Sequence, residues 1–372
     1  MTTRIPGSFL LLGAALLAGA ASSARAQSPT DSVLAVSYGG NSLFRVNVNG
    51  GLIARGTYDS GASGGIASNG AGTRMLWYPG KAAFRAGGIN GTQWDDANVG
   101  LYTAAFGEDV RASGDNGFAV GQRATAAGSR TVAMGEDVTA TGANSVALGQ
   151  KASTSTSAGA PRNGTFVFGD RSTTIDTIHA EVTNSATWRV ANGFRIYTSS
   201  NRSTGVTFQS GAAQSNWGQD NAVISTSTGA YLHTNGTWTN ASDVNRKHRF
   251  ASVSGEEVLA RLRTLPITTW TYRSESDEVR HLGPMAQDFR AAFGLGDDER
   301  VISTVDADGV ALAAAKALER RTAEQAEEIR ALRAESAASA ARISELEARL
   351  ARLEELLGRG ETAGGRAPRE RD

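Results

Sequence analysis

Ala104-Ala105-Phe106-Gly107, Phe118-Ala119-Val120-Gly121, Val132-Ala133-Met134-Gly135 and Val146-Ala147-Leu148-Gly149 follow one another at a spacing of fourteen residues. A second glycine series, Gly114, Gly128 and Gly142, and an alanine series, Ala112, Ala126 and Ala140, keep the same phase, and after an insertion Phe166-Val167-Phe168-Gly169 takes the pattern up again. A fixed period of this length means stacked, near-identical units. Each apolar string reads as one short strand. Two short strands per unit, each closed by a glycine free to take a positive φ, make one coil of a β-solenoid, with alanine where the interior is narrow.

On the N-terminal side, Arg4, an apolar run from Phe9 to Ala21 and the small-residue site Ala24-Arg25-Ala26 form a secretory signal peptide over residues 1–26. The run is too short for a membrane span, and no later segment reads as a transmembrane helix. Val33, Leu34 and Val36, then Leu43 to Val48 before Gly50-Gly51, read as short strands, and Trp77-Tyr78-Pro79-Gly80 as a packing and turn feature rather than a sugar-stacking platform. On the C-terminal side, Thr187 to Val190 and Gly193 to Thr198 alternate as further strands of a stalk, with Trp217 and Trp238 as scattered apolar anchors. Val310 to Leu357 contains neither glycine nor proline and reads as one helix. Its heptad frame places Ala315, Thr322, Ile329, Ser336, Ile343, Leu350 and Leu357 at a, and Leu318, Gln325, Leu332, Ser339, Leu346 and Leu353 at d. This seam fits two or three parallel strands.

Composition narrows the function classes. The chain has 372 residues, no formal net charge, 44 glycines and 7 prolines, which favours turn-rich repetitive β structure. Aromatics and basic residues are not interleaved in any patch, so nucleic acid is not an expected partner. An exported chain without cysteine has no disulfides to stabilise it, and intertwined association is the expected substitute. His179, His233, His248 and His281 are widely spaced, so no metal or cofactor is expected; Asp306-Ala307-Asp308-Gly309 suits helix capping, and Asp297-Asp298-Glu299 a solvated loop.

Ser242-Asp243-Val244-Asn245-Arg246-Lys247 is followed by Leu265-Pro266-Ile267-Thr268-Thr269-Trp270-Thr271-Tyr272, by His281-Leu282-Gly283-Pro284-Met285-Ala286-Gln287-Asp288-Phe289 and by Asp306 to Leu312. This ordered set resembles the C-terminal intramolecular chaperone domain of phage endosialidase tailspikes and tail fibres, a self-cleaving Ser/Lys peptidase family. The resemblance implies Ser242 as nucleophile, Lys247 as base and a cut between Ala241 and Ser242, one cut in its own chain and none in trans. By residue type alone, Ser242-Asp243 would cap a turn and Lys247 would be a solvated charge. His281 is expected to be structural. The fourteen-residue repeats resemble the head repeats of trimeric autotransporter adhesins, in which three left-handed parallel β-rolls pack together; unlike in those adhesins, anchoring by its own C-terminal membrane barrel is not expected.

The expected fold is mainly β with a C-terminal α portion. Residues 27–99 form an N-terminal β-rich region, 100–170 a trimeric left-handed parallel β-roll head, 171–240 a β-rich stalk, 241–311 a small α/β chaperone and peptidase module, 312–358 a coiled-coil helix and 359–372 a disordered tail. The expected protein is an extracellular or cell-surface homotrimer displaying an unidentified surface or glycan ligand site. A retained, uncut C-terminal clamp is the alternative, and a prophage tail fibre a third reading that the signal peptide opposes.

Overall fold

The computed structural model describes residues 32–61 and 65–363, with side chains of the last helix as far as Leu357. The expected signal peptide lies outside the described residues. The chain divides into two compact units, Met1–Thr237 and Trp238–Asp372.

In the first unit, Ser32–Tyr38, Asn41–Asn47 and Leu52–Ala54 form an antiparallel three-stranded sheet. Of the pair expected to pack, Tyr78 is buried against Ala83 and Val99, its hydroxyl donating to Asp96 Oδ1 at 2.6 Å, whereas Trp77 faces the other side of the strand and is exposed. The repeats then build two sheets in parallel register. Ala104–Glu108, Phe118–Gln122, Val132–Glu136, Val146–Gln150, Phe166–Gly169 and Ala186–Arg189 follow one another in the first. The short strands Arg111–Ala112, Thr125–Ala126, Thr139–Ala140, Ala152–Ser153 and Ile178–His179 do so in the second. Each repeat therefore adds one strand to each sheet.

Because successive residues of a strand face opposite ways, the middle residue of each apolar string points inward. Ala105, Ala119, Ala133 and Ala147 stand in register and are fully buried, as are Ala112, Ala126 and Ala140 across from them. The flanking positions of the larger sheet face outward and are apolar: Phe106, Phe118, Met134, Phe168 and Trp188 are partly to well exposed.

The sheet extends beyond both expected limits of the repeat region. Ala83–Ile89 pairs parallel to the first repeat strand and antiparallel to Gly72–Tyr78, and the sheet ends at Ala186–Arg189 rather than near 170. At the N-terminal end, Arg85 occupies the inward column opposite Ala105, 1% exposed. Its guanidinium donates to the carbonyls of Phe84, Thr103 and Ala112 and to Thr103 Oγ1 at 2.8–3.1 Å, and burial pulls its pKa down to about 10. Trp94 is also fully buried and donates its indole N–H to Val110 O at 2.9 Å.

The turns only partly follow the sequence expectation. Gly107, Gly121, Gly135 and Gly149 do take positive φ, from +89° to +136°. Gly114, Gly128 and Gly142 do not; they are glycine because the next coil passes too close, a Cβ on Gly114 falling 2.1 Å from Gly128 O. The left-handed turns fall instead on Asp109, Arg123, Asp137 and Lys151, and on Asn116, Arg130 and Asn144, with φ between +53° and +57°.

Past the parallel sheet, Phe194–Tyr197, Gly205–Gly211, Ala222–Thr226 and Tyr231–His233 run antiparallel, each paired with the next. Trp217 is buried, while Trp238 is exposed, its indole N–H donating to Asn240 Oδ1 at 3.1 Å.

In the second unit, α1 spans Gly255–Thr264, with Ser254 Oγ accepting from Glu257 N as its N-cap. A two-stranded hairpin pairs Thr268–Trp270 with His281–Gly283. α2 spans Ala286–Phe293 and stops at Gly294 in the left-handed region, φ +66°. α3 runs over Thr304–Ala363. Val258, Leu265, Phe289, Val310 and Ala314 form the core between the three helices. Glu256 on α1 also grips Arg320 at 2.6 Å and Arg321 on α3, and Arg321 holds its carboxyl below the usual range.

α3 starts earlier than expected, so Asp306 and Asp308 lie within its first turns rather than ahead of it. The N–H groups of Asp306 and Ala307 both turn back to Ser303 O, and an acid there complements the helix dipole. Gly309, whose missing Cβ faces open space, is carried inside the helix at the usual cost of about 1 kcal/mol. The helix also continues past Gly358 to Ala363, so the part of the expected disordered tail up to 363 is helical and the rest lies outside the described residues. α1 and α2 occupy the face bearing Val310, Ala314 and Ala317, which leaves the a and d seam uncovered: Leu318, Ile329, Leu332, Ile343, Leu346, Leu350 and Leu353 are 48–58% exposed.

Candidate functional site

The junction ahead of α1 is held by one local motif. Asp243 caps a single 3-10 turn over Val244–Arg246, its Oδ1 accepting from Asn245 N at 2.9 Å and Asn245 Nδ2 at 3.0 Å. Lys247 N closes the turn on Val244 O at 3.1 Å. This folds the chain back so that Lys247 Nζ lies 2.6 Å from Ser242 Oγ. The two residues singled out by the sequence are thus brought within hydrogen-bonding distance, with Ala241 immediately before them. Residues 241–250 are all exposed. Asn240 Nδ2 reaches Thr304 Oγ1 at 3.4 Å, the link between the junction and the start of α3.

Chemically, a serine hydroxyl against a lysine amine is a nucleophile and base pair once the amine is neutral. The Ala241 carbonyl, the Ser242 hydroxyl and the Lys247 amine all come from one seven-residue segment. An apolar pocket of about 430 Å³ between the helices, lined by Val253, Val258, Phe293, Leu295 and Val310 among others, includes neither Ser242 nor Lys247.

His281 is held elsewhere in the module. Its ring stacks on Trp270 at 4.7 Å, Tyr272 packs edge-on, and its Nε2 meets Glu275 Oε2 at 2.9 Å. This is the structural role expected of it; Glu275 was not singled out by the sequence, because its partner follows six residues later across a turn. Asp298 pairs with Arg300 in an exposed loop. Among the described residues no cluster of three or more His, Asp or Glu could hold a metal ion, and no helix is long and apolar enough to cross a membrane.

Residues 242–295 match the family model described as chaperone of endosialidase, the match beginning at Ser242 itself. The C-terminal module is a chaperone-of-endosialidase domain. Residues 112–135 and 139–157 match two copies of the YadA head domain repeat, so the parallel sheets are built from head repeats. Neither the curated proteins nor the solved structures hold a match to the chain. The chaperone-of-endosialidase match covers the junction, α1, the hairpin and α2, and stops just after Gly294, ahead of α3.

Proposed function

We propose that the chain is an exported, fibrous homotrimer at the cell surface or outside it, whose C-terminal module brings three chains together and then cuts itself off between Ala241 and Ser242. The observation that carries the cleavage reading is the 2.6 Å approach of Lys247 Nζ to Ser242 Oγ. Ser242 Oγ attacks the Ala241 carbonyl carbon while Lys247 takes the hydroxyl proton. The C–N bond breaks, the proton passes to the departing Ser242 nitrogen, and water hydrolyses the resulting ester to a carboxylate at Ala241 and a free Ser242.

Association is supported by two uncovered apolar surfaces, the outward face of the parallel head sheet and the a and d seam of α3, each of which costs free energy while it faces water. A second copy of the same chain fits the seam of α3, because matched g and e charges, Glu328 with Arg333 and Arg342 with Glu347, align in a parallel assembly. Left-handed β-rolls packed in threes are the form the head repeats take in this reading.

A lysine acts as base when a low-dielectric surround or a neighbouring cation disfavours its proton. Lys247 is exposed in the single chain, so in this reading cleavage waits for assembly to cover the junction. That exposure also favours the second reading, a permanently retained clamp. Intact mass separates them. Self-cleavage gives two fragments, one ending at Ala241 and one beginning at Ser242, and Ser242→Ala and Lys247→Ala each leave one uncut chain that is still trimeric by light scattering. A wild-type protein that stays whole leaves the clamp, and a monomeric mass removes both.

A further inference from the structure

The head repeats are alike in shape but not in charge. After each turn glycine the chain reads Gly107-Glu108-Asp109, Gly121-Gln122-Arg123, Gly135-Glu136-Asp137 and Gly149-Gln150-Lys151, so acidic and basic coils alternate. Parallel register sets these residues directly above one another. Gln122 Nε2 donates to Glu108 Oε2 at 2.7 Å and Gln150 Nε2 to Glu136 Oε2 at 2.9 Å. Asp137 sits between Arg123, at 2.5 Å, and Lys151, at 3.3 Å. Asp109, at the start of the column, is met by Asn90 and Gln93 from the preceding loop.

Asp109, Arg123, Asp137 and Lys151 all take φ near +53° to +54°. Glycine holds that conformation without strain, and arginine and lysine are disfavoured there. Charged side chains therefore stand, in alternating sign, at one of the two left-handed turn positions of the repeat, where glycine would be easier. Stability of the backbone does not account for that choice.

We propose that this alternating column encodes the order of the coils during folding. A growing parallel stack of similar coils is open to one error above others, the looping out of one repeat so that a coil docks on its second neighbour. Shape does not reject this error, since the inward alanines and the turn glycines coincide. Charge does: Asp109 would face Asp137 and Glu108 would face Glu136, or Arg123 would face Lys151. Each slip of one coil exchanges opposite charges for like charges, and a slip of two restores the match but leaves twice the loop unpaired.

The test uses the full chain carrying Ser242→Ala, so that any helper action of the C-terminal module stays attached. The protein is denatured, refolded and exposed to a nonspecific protease, and cuts within residues 107–151 are counted by mass spectrometry. With Arg123→Gly, Asp137→Gly and Lys151→Gly together, the never-denatured protein is expected to melt within a few degrees of the parent, while refolded material is cut in this region at least threefold more. Asp137→Arg, which sets three cations in a row, is expected to do worse. Adding Asp109→Arg, Arg123→Asp and Lys151→Asp to it restores alternation with inverted sign over the whole column and is expected to recover most of the protection. Equal protection of the triple-glycine protein after refolding, or failure of the inverted column to recover, overturns the proposal.

Discussion

Replacing Gly135 by alanine tests how closely the coils pass one another. Gly135 has φ +136°, a region that only glycine visits freely, and the backbone cost of an L-residue there is about 1–3 kcal/mol. Its added Cβ would lie 1.8 Å from Gly149 O and 2.8 Å from Gly149 C, both backbone atoms of the next strand. Relief requires that strand to retreat by roughly 1 Å or more, which stretches about two ladder hydrogen bonds at about 0.5–1.5 kcal/mol each. The total comes to about 2–6 kcal/mol, and at roughly 2–4 °C per kcal/mol the apparent melting temperature should fall by roughly 4–24 °C. Gly159→Ala is the control: φ there is +87°, but nothing lies within 4 Å of the added carbon, so only the backbone cost remains. Thermal melts of both full-length variants followed by circular dichroism at one scan rate decide the matter. Equal losses in the two would refute the argument from close passage and leave conformation alone as the reason for the glycine series.

Other outcomes follow from single contacts. Arg85→Lys should destabilise the first unit by about 2 kcal/mol, because one ammonium cannot reach the acceptors that the buried guanidinium spans, and a melt against Arg85→Ala would rank the two. Burial pushes the Asp170 carboxyl up, but hydrogen bonds from Ser172, Ala191 and Arg189 outweigh it and hold the pKa at about 2, down from 3.8. The stabilisation, up to about 2 kcal/mol, is complete above the unfolded value and is lost as pH falls from 3.8 through about 2. Asp170→Asn should remove that acid limb from an unfolding titration. Leu346→Lys together with Leu353→Lys on the exposed seam of α3 should shift the mass in light scattering towards the monomer while the helix content of the module persists.

The repeat was legible because its period sets both the parallel register and the inward column, so Ala105, Ala119 and Ala133 are buried where the pattern puts them. The proximity of Ser242 and Lys247 was legible for a local reason: a turn capped by Asp243 closes a five-residue span without help from distant chain. Arg85 and Trp94 were not legible, since they lie before the first repeat and their burial depends on carbonyls of later coils. Neither was the true start of α3: Gly309 reads as a stop, yet Val310 and Ala314 packing on α1 and α2 outweighs its low propensity. The left-handed turns were misassigned in part because close approach and positive φ both select glycine and sequence does not separate them.

The alternation of Asp109, Arg123, Asp137 and Lys151 also bears on how such a chain can change length over evolutionary time. A coil touches only its neighbours, so in shape alone a gene could gain or lose one repeat at a stroke. Here the duplication of a single repeat would lay acid on acid or base on base at the new seam, whereas the duplication of an acidic and basic pair would leave every contact as it was. Head lengths among descendants of this gene should therefore step by pairs of repeats, with single additions accompanied by a compensating change of charge.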